Sequence, residues 1–250
     1  MKNLIRGDIR RIMCKKSLWV VFAIALIADI IIVMIMLNAR KYTALNFLGG
    51  NHLALMYFSG LILGAAIFLA VYADDFKAMT LISIIGRGNT RLQVVIAKFI
   101  NSVIITFILY AIYGVMLMIM TKVVGMELSG EETLVLWMSF AGAICLAIGY
   151  VTMSAIIIYA SNNMPFSIFM IVMLYLVIPI VLDRTGSVPI LQNAHIDRYH
   201  FGSLISSGLS DILLGMPVKG VFVILEAFVF YVGGSLAIIY AVFRKKELDF

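Results

Sequence analysis

The sequence is built from six long runs of apolar residues, separated by shorter segments that are rich in polar and charged residues. Each run is close to the about 20 residues that a helix needs to cross the hydrocarbon core of a membrane. Because the runs are continuously apolar and do not alternate with a period of two, they predict helices rather than barrel strands. The predicted spans cover residues 17–37, 53–73, 94–120, 134–160, 166–182 and 221–243.

Composition favours a membrane protein and excludes an ordinary soluble one. Apolar residues make up 63% of the 250 residues and charged residues 13%, whereas soluble proteins average about 25% charged residues. No segment between the runs is long enough for a soluble domain with its own core. We therefore predict an all-α polytopic membrane protein whose single transmembrane domain covers residues 1–250.

The basic residues predict the orientation of the chain. The formal net charge is +6, from 19 Lys and Arg against 13 Asp and Glu. These basic residues are too scattered for a nucleic-acid surface, so we expect no nucleic-acid partner. Thirteen of them fall on the side that holds both termini and six on the other side. Because Lys and Arg accumulate on the cytoplasmic side of a membrane, both termini are predicted to be cytoplasmic.

Residues 1–16 form an amphipathic pattern before the first span. One arc of about 100° on a helix holds the apolar residues, and these are Ile5, Ile9, Ile12 and Met13. We predict a helix that lies in the membrane interface, with its basic side on anionic lipid headgroups. The alternative is a plain basic flank before the first span. The basic residues assigned to the interface are Arg6, Arg10, Arg11 and Lys15.

The cytoplasmic segment 74–93, between the second and third spans, carries more apolar residues than a solvated loop needs. Phe76, Leu81, Ile84 and Ile85 would lie on more than one side of any helix. The membrane can cover one side only, so the other side predicts a docking surface for a protein partner. The alternative is a loop that folds back onto its own helix bundle.

The same segment resembles the permease subunits of type-2 ABC exporters. Those subunits carry an acidic residue, a Gly-Thr-like pair, an apolar stretch, Gly-x-Ser/Thr-Arg, and a Lys seven residues after that Arg. The predicted topology is closest to the small six-helix subunits of bacterial exporters of lantibiotics and of phenol-soluble modulins. In this chain the pattern consists of Asp75, residues 78–80, Gly88, Asn89, Thr90, Arg91 and Lys98.

This resemblance implies a multi-pass permease subunit of the bacterial plasma membrane that is not itself an enzyme. The subunit would export hydrophobic or amphipathic peptides, including cationic ones. Segment 74–93 would form a coupling helix that docks on a cytoplasmic ATPase subunit, present in two copies, and that partner would carry ATP and magnesium. A second permease subunit, identical or a sister chain, would complete the pathway, and short outer helices would lie within residues 183–220. The residues implied in ATPase coupling are Asp75, Phe76, Thr80, Ile84, Gly88, Arg91 and Lys98.

Two acidic residues lie inside predicted spans, Asp29 in the first and Glu226 in the sixth. At about 1.5 Å per helical residue, both lie on the order of 10 Å below the outer surface. Acids inside a membrane normally face a bundle interior or a wet cavity and mark a pathway. We therefore assign both to a translocation path that favours cationic or amphipathic cargo. The alternative is a structural pair of acids that holds helices together.

We predict no catalytic, cofactor or metal site within the chain. The sequence contains no Gly-x-x-x-x-Gly-Lys-Ser/Thr motif for nucleotide binding, and its three His lack metal-ligand spacing. Cys14 and Cys145 fall at different depths and predict no disulfide. Two alternative functions stay open: a non-transporting immunity or sensory subunit, and a membrane-embedded enzyme that modifies lipids. The enzyme would need several polar catalytic groups at one depth, where the sequence offers Asp29 and Glu226.

Overall fold

Every element that the structure describes is helical. The computed structural model describes residues 2–40, 43–77, 80–185 and 196–245. A 3₁₀ turn covers Ile196–Tyr199. The helices, numbered in chain order, are α1 (Lys2–Met13), α2 (Lys16–Arg40), α3 (residues 44–77), α4 (Thr80–Gly86), α5 (Arg91–Val124), α6 (Gly130–Ser161), α7 (residues 164–185), α8 (Phe201–Leu213) and α9 (Pro217–Lys245).

Five helices, α2, α5, α6, α7 and α9, are long and apolar enough to cross a membrane. They coincide with five of the six predicted spans, so the prediction of an all-α, multi-pass membrane protein is confirmed at this level. The remaining predicted span, 53–73, lies within α3. The middle of α3 is central to the bundle, because Leu63, Ile67, Phe68 and Val71 are all fully buried.

Two of the long helices begin at capping boxes, as the local sequence predicts. Ahead of α5, the Gln93 N–H donates to Thr90 Oγ1 at 3.2 Å, and the Gln93 side chain accepts from the Thr90 N–H at 3.0 Å. Ser129 and Glu132 form the same arrangement ahead of α6. Both pairs satisfy amides that would otherwise lack partners, and so they determine where these helices begin.

Helices α3, α7 and α9 contain π-helical turns. In α3 these are Ala54–Ser59 and Leu69–Ala73, in α7 Met173–Val177, and in α9 Phe228–Gly233. The turn in α7 comes just before Pro179, whose ring would crowd the backbone carbonyl four residues earlier in a regular helix. Because a π turn widens the backbone at that point, α7 continues past the proline.

Helix α8 packs in a hairpin against the first part of α9 and beside α6. Where α8 and α9 cross, a Cβ on Gly208 would lie 2.8 Å from the carbonyl oxygen of Gly220, so the two backbones are in contact. At the other end of α8, Phe201 is fully buried against Gly149 of α6. The segment predicted to hold short helices, 183–220, therefore contains α8, while its residues 186–195 lie outside the described part of the chain.

Candidate functional site

Four charged side chains from distant parts of the chain meet in one place. Asp8 and Arg11 come from α1, Asp75 from the end of α3, and Lys98 from the first part of α5. We call these four residues the charge cluster. It joins Asp75 and Lys98, two of the residues that are predicted to take part in coupling.

Lys98 stands at the centre of the charge cluster. Its side chain is 1% exposed, and its Nζ lies 2.6 Å from Asp8 Oδ2. The same ammonium donates to Asp75 Oδ2. The side-chain amide of Asn101 also donates to Asp8 Oδ2, at 3.2 Å. Burial of an ammonium is tolerated here because two carboxylates neutralise it and accept two hydrogen bonds from it.

Arg11 completes the charge cluster from its more exposed edge. Its guanidinium donates to both carboxylate oxygens of Asp75, at 2.8 and 3.0 Å, which is the two-pronged geometry that gives strong arginine–carboxylate pairs. A further ion pair joins Arg11 to Asp8 at 3.4 Å. Hydrogen bonding to Asp75 raises the pKa of Arg11 above its usual value. The cluster therefore holds two positive and two negative groups.

A second ion pair strengthens the same junction. Lys15, between α1 and α2, lies 2.7 Å from an Asp74 oxygen and donates to the carbonyl oxygen of Ala70, also at 2.7 Å. Ala70 belongs to a π turn, where regular helical hydrogen bonding is disturbed and a carbonyl is open to an outside donor. Trp19 Nε1 donates to the carbonyl oxygen of Met13 at 2.8 Å. The two Lys15 contacts hold the junction of α1 and α2 against the end of α3, and the Trp19 bond ties α2 to the end of α1.

The basic residues of α1 fall into two environments. Arg11 and Lys15 have acidic partners within the chain, whereas Arg6 and Arg10 are exposed. An amphipathic pattern separates basic from apolar residues, but it does not say which basic residues face the rest of the protein. The membrane-interface assignment stays a prediction, and Arg6 and Arg10 are the residues whose exposure is compatible with it.

Arg91 attaches the end of segment 74–93, the predicted coupling segment, to helix α9. Its Nη1 donates to the carbonyl oxygens of Phe243 and Arg244, at 2.6 and 2.7 Å. The guanidinium also lies 5.6 Å from the centre of the Phe243 ring. Carbonyls in the last turn of a helix have no amide partner of their own. Arg91 therefore caps α9, a role for which the sequence offered no signal because the two segments lie 152 residues apart.

The other predicted coupling residues differ in their exposure. Phe76 and Ile84 are half-buried, and Gly88 is exposed, with a φ of 89° that favours glycine. Thr80 begins α4, and its side chain lies outside the described part of the structure. The ring of Phe76 packs edge-on against Tyr159 of α6 at 5.0 Å, so this part of the segment rests on its own bundle.

Phe76 also borders a cleft of about 460 Å³ on the predicted cytoplasmic side. The opposite wall of the cleft is the turn from α6 to α7, which includes Asn162 and Asn163. Asn162 adopts a φ of 55°, and the Asn163 side chain accepts a hydrogen bond from the first turn of α7 at 3.1 Å. We did not predict this turn as part of a site. The Asn pair was its sequence signal, because Asn tolerates positive φ and caps helices.

The structure places the two intramembrane acids in different surroundings. Asp29 is 2% exposed and faces the hydroxyl of Tyr113 on α5. Glu226, on α9, is exposed. No hydrogen bond or ion pair between them is found in the described part of the chain. The number of residues between each acid and the outer end of its span predicts a common depth in the membrane for the two acids. It does not predict the direction in which either side chain points. Their assignment to a translocation path stays a prediction.

A larger cavity, of about 1380 Å³, lies on the predicted outer side between α6, α7 and α8. His52 and His200 line it together with one face of α8. His52 Nδ1 lies 3.0 Å from the hydroxyl oxygen of Ser139. Burial lowers the pKa of both imidazoles. The serines on the cavity face of α8 are Ser203, Ser206, Ser207 and Ser210.

Within the described residues, no group of three or more His, Cys, Asp or Glu side chains is arranged to hold a metal ion. No protein-family model matches the sequence, and no curated protein matches it either. A function therefore has to be inferred from three features of the structure: the charge cluster, the cleft beside Phe76 and the outer cavity.

Proposed function

We propose that this chain is the membrane-spanning permease subunit of a bacterial ABC exporter, which moves hydrophobic or amphipathic peptides outward. A separate cytoplasmic subunit, in two copies, would bind and hydrolyse ATP. The observation that carries the proposal is the meeting of Asp75 and Lys98 in the buried charge cluster. The motif residues that suggest a coupling segment are thus also the residues that fix that segment to the bundle.

The coupling segment is anchored at both ends. At its start, Asp75 is bonded to Arg11 of α1 and Lys98 of α5. At its end, Arg91 is bonded to the last turn of α9. A push on the residues between these anchors would therefore act on α1, α3, α5 and α9 together. Such a linkage suits a permease in which closure of an ATPase has to move transmembrane helices.

These contacts divide the predicted coupling residues into anchors and docking residues. Asp75, Lys98 and Arg91 act as anchors, because their charged groups are engaged inside the chain. Docking falls instead to exposed residues of the same segment, Arg87 and Gly88, and to the cleft beside Phe76.

The proposed assembly has six spans in each permease subunit and two such subunits. Helix α3 would supply the sixth span, since residues 53–73 are apolar and helical. Exposure of Glu226 on α9 supports a second subunit, because an acid within a span is rarely left facing lipid and normally faces protein or water. The α9 surface around Glu226 would then border the second subunit or the peptide pathway.

Site-specific photo-crosslinking tests the docking assignment. A photoreactive residue in place of Arg87 is expected to crosslink a cytoplasmic protein that contains a nucleotide-binding P-loop. The matched control replaces Lys122, which is also basic and exposed but lies at the opposite end of α5, and it should not capture that protein. Crosslinking to the P-loop protein from both positions, or from neither, would contradict the docking assignment.

Peptide efflux separates the exporter from a non-transporting immunity or sensory subunit. Cells that produce this chain and its ATPase should release an amphipathic peptide faster than cells that lack the chain. Arg87→Glu should abolish the difference, whereas Lys122→Glu should not. If efflux is equal with and without the chain while crosslinking persists, the chain binds an ATPase without transporting the peptide.

A further inference from the structure

Helix α2 carries a carboxyl group into the middle of the bundle without a charged partner. Asp29 is 2% exposed, and neither of its oxygens has a hydrogen bond of good geometry. Among the described residues, no Lys, Arg or His interacts with it. A carboxylate that is removed from water without such partners is strongly disfavoured, and the group takes up a proton instead.

The groups that face Asp29 are polar and neutral. Tyr113 and Tyr110 of α5 both interact with it, and their ring centres lie 6.5 Å apart. Helix α3, against which α2 packs, contributes the uncharged hydroxyl of Ser59 beside Tyr110. Tyr110 is fully buried, and its hydroxyl makes no hydrogen bond of good geometry. A phenol hydroxyl can both donate and accept a hydrogen bond, so it can pass a proton between neighbouring groups.

A third tyrosine connects these groups to the outer cavity. Tyr175 of α7 lines that cavity, and its hydroxyl also lacks a hydrogen bond of good geometry. The ring lies against α3, where a Cβ on Gly60 would be 3.1 Å from the hydroxyl oxygen. Tyr175 also interacts with Tyr110. Tyr175 therefore lines the cavity and interacts with Tyr110, which in turn interacts with Asp29.

We propose that Asp29, Tyr110, Tyr113 and Tyr175 form a proton-binding site inside the membrane that is reached from the outer cavity. Asp29 holds the proton as a neutral acid beside the Tyr113 hydroxyl. During exchange, each relay hydroxyl accepts one proton on its oxygen and releases its own proton to the next group. One proton moves in total, and no other bond is made or broken.

This site changes the function assigned to Asp29. A neutral acid does not attract a cationic peptide, so Asp29 serves to bind a proton and not to recruit cargo. The inference uses contacts of α2, α3, α5 and α7 alone and does not depend on the presence of an ATPase partner.

Infrared spectroscopy of the full chain in proteoliposomes tests the protonation of Asp29. At neutral pH we expect a band from a protonated carboxyl that shifts when aspartate carboxyls carry ¹³C and disappears in Asp29→Asn. The labelled wild-type chain provides the result even if the variant does not fold. A labelled wild-type spectrum without a protonated aspartate band at neutral pH would overturn the proposal.

A step in external pH tests the route to the site. In uniformly oriented proteoliposomes, the Asp29 band should follow external pH while internal pH is held constant. Tyr175→Phe keeps the ring but removes the hydroxyl, and it should slow the response on the order of tenfold or more. The matched control, Tyr240→Phe on α9, should respond at the wild-type rate. A band that follows internal pH, or an unchanged rate in Tyr175→Phe, would refute the outer route.

Discussion

Removal of the Lys98 ammonium should destabilise the protein strongly, and removal of an acid as well should restore part of the loss. Lys98→Met leaves Asp8 and Asp75 buried with Arg11 as their remaining cationic partner in the charge cluster, so the cluster acquires a net charge of −1. Breaking a buried ion pair in this way costs about 3–5 kcal/mol. Because Lys98 is 1% exposed, solvent screening does not reduce this cost appreciably.

The double variant Lys98→Met/Asp8→Asn returns the charge cluster to neutrality. Asp75 then keeps its two-pronged bond from Arg11, and Asn at position 8 is a neutral group of nearly the same size. Contacting residues of one network typically show interaction energies of about 0.5–3 kcal/mol. We therefore expect the double variant to be more stable than Lys98→Met, by up to about 3 kcal/mol, although it has lost one more native group.

Unfolding by sodium dodecyl sulfate in mixed micelles, followed by Trp19 fluorescence, measures both changes. Trp19 donates to Met13 at the end of α1, so its emission reports on the junction beside the charge cluster. A Trp137→Phe background leaves it as the sole tryptophan, since the chain has two. Lys122→Met is the matched control and should change stability by less than about 0.5 kcal/mol. If the double variant is no more stable than Lys98→Met, charge imbalance is not the cause of the loss.

Three further predictions concern the helix ends, the close packing and the outer cavity. Thr90→Ala removes the N-cap of α5 and should cost about 1 kcal/mol in the same unfolding assay; an unchanged midpoint would argue against the cap. A Cβ at Gly149 would overlap the Phe201 ring, so Gly149→Ala should cost about 1–3 kcal/mol. Gly233→Ala, which meets open space, should cost less than Gly149→Ala, and equal costs would refute the packing argument. Burial lowers the pKa of His200, so the unfolded chain binds a proton at this residue more readily than the folded chain. Stability should therefore fall as pH drops below about 6.5, and His200→Gln should weaken that dependence; an identical pH profile would contradict it.

The membrane-crossing helices could be predicted from the sequence because their signal is local. Twenty consecutive apolar residues require a helix whatever lies beside them, and a Thr with a Gln three residues later marks a helix start on its own. The partners of charged residues are not local. Lys98 and Asp8 are 90 residues apart, and the choice between a docking residue and a buried anchor depends on how α1 packs against α5.

The same limit explains why the surroundings of three predicted site residues could not be read from the sequence. These residues are Arg11, Lys15 and Glu226. Helical periodicity determines which side chains share one face of a helix. It does not determine how that helix is rotated about its own axis within a bundle. Arg11 and Arg10 are neighbours in the sequence, yet one bonds Asp75 and the other is exposed. Arg91 illustrates a second limit, because its carbonyl partners on α9 carry no side-chain signature at all.

The wide sequence separation within the charge cluster also has a consequence for biosynthesis. Asp8 leaves the ribosome 90 residues before Lys98, and synthesis at roughly 5–20 residues per second makes this interval about 5–20 s. During that time Asp8 lacks its partner on α5, and for most of it Arg11 lacks its partner Asp75 on α3. The apolar arc of α1 would hold the nascent helix at the bilayer surface until those partners are inserted. Weakening the arc at Ile5 or Ile9, which are only half-buried in the finished bundle, should therefore lower the yield of correctly assembled chain more than it weakens the finished protein.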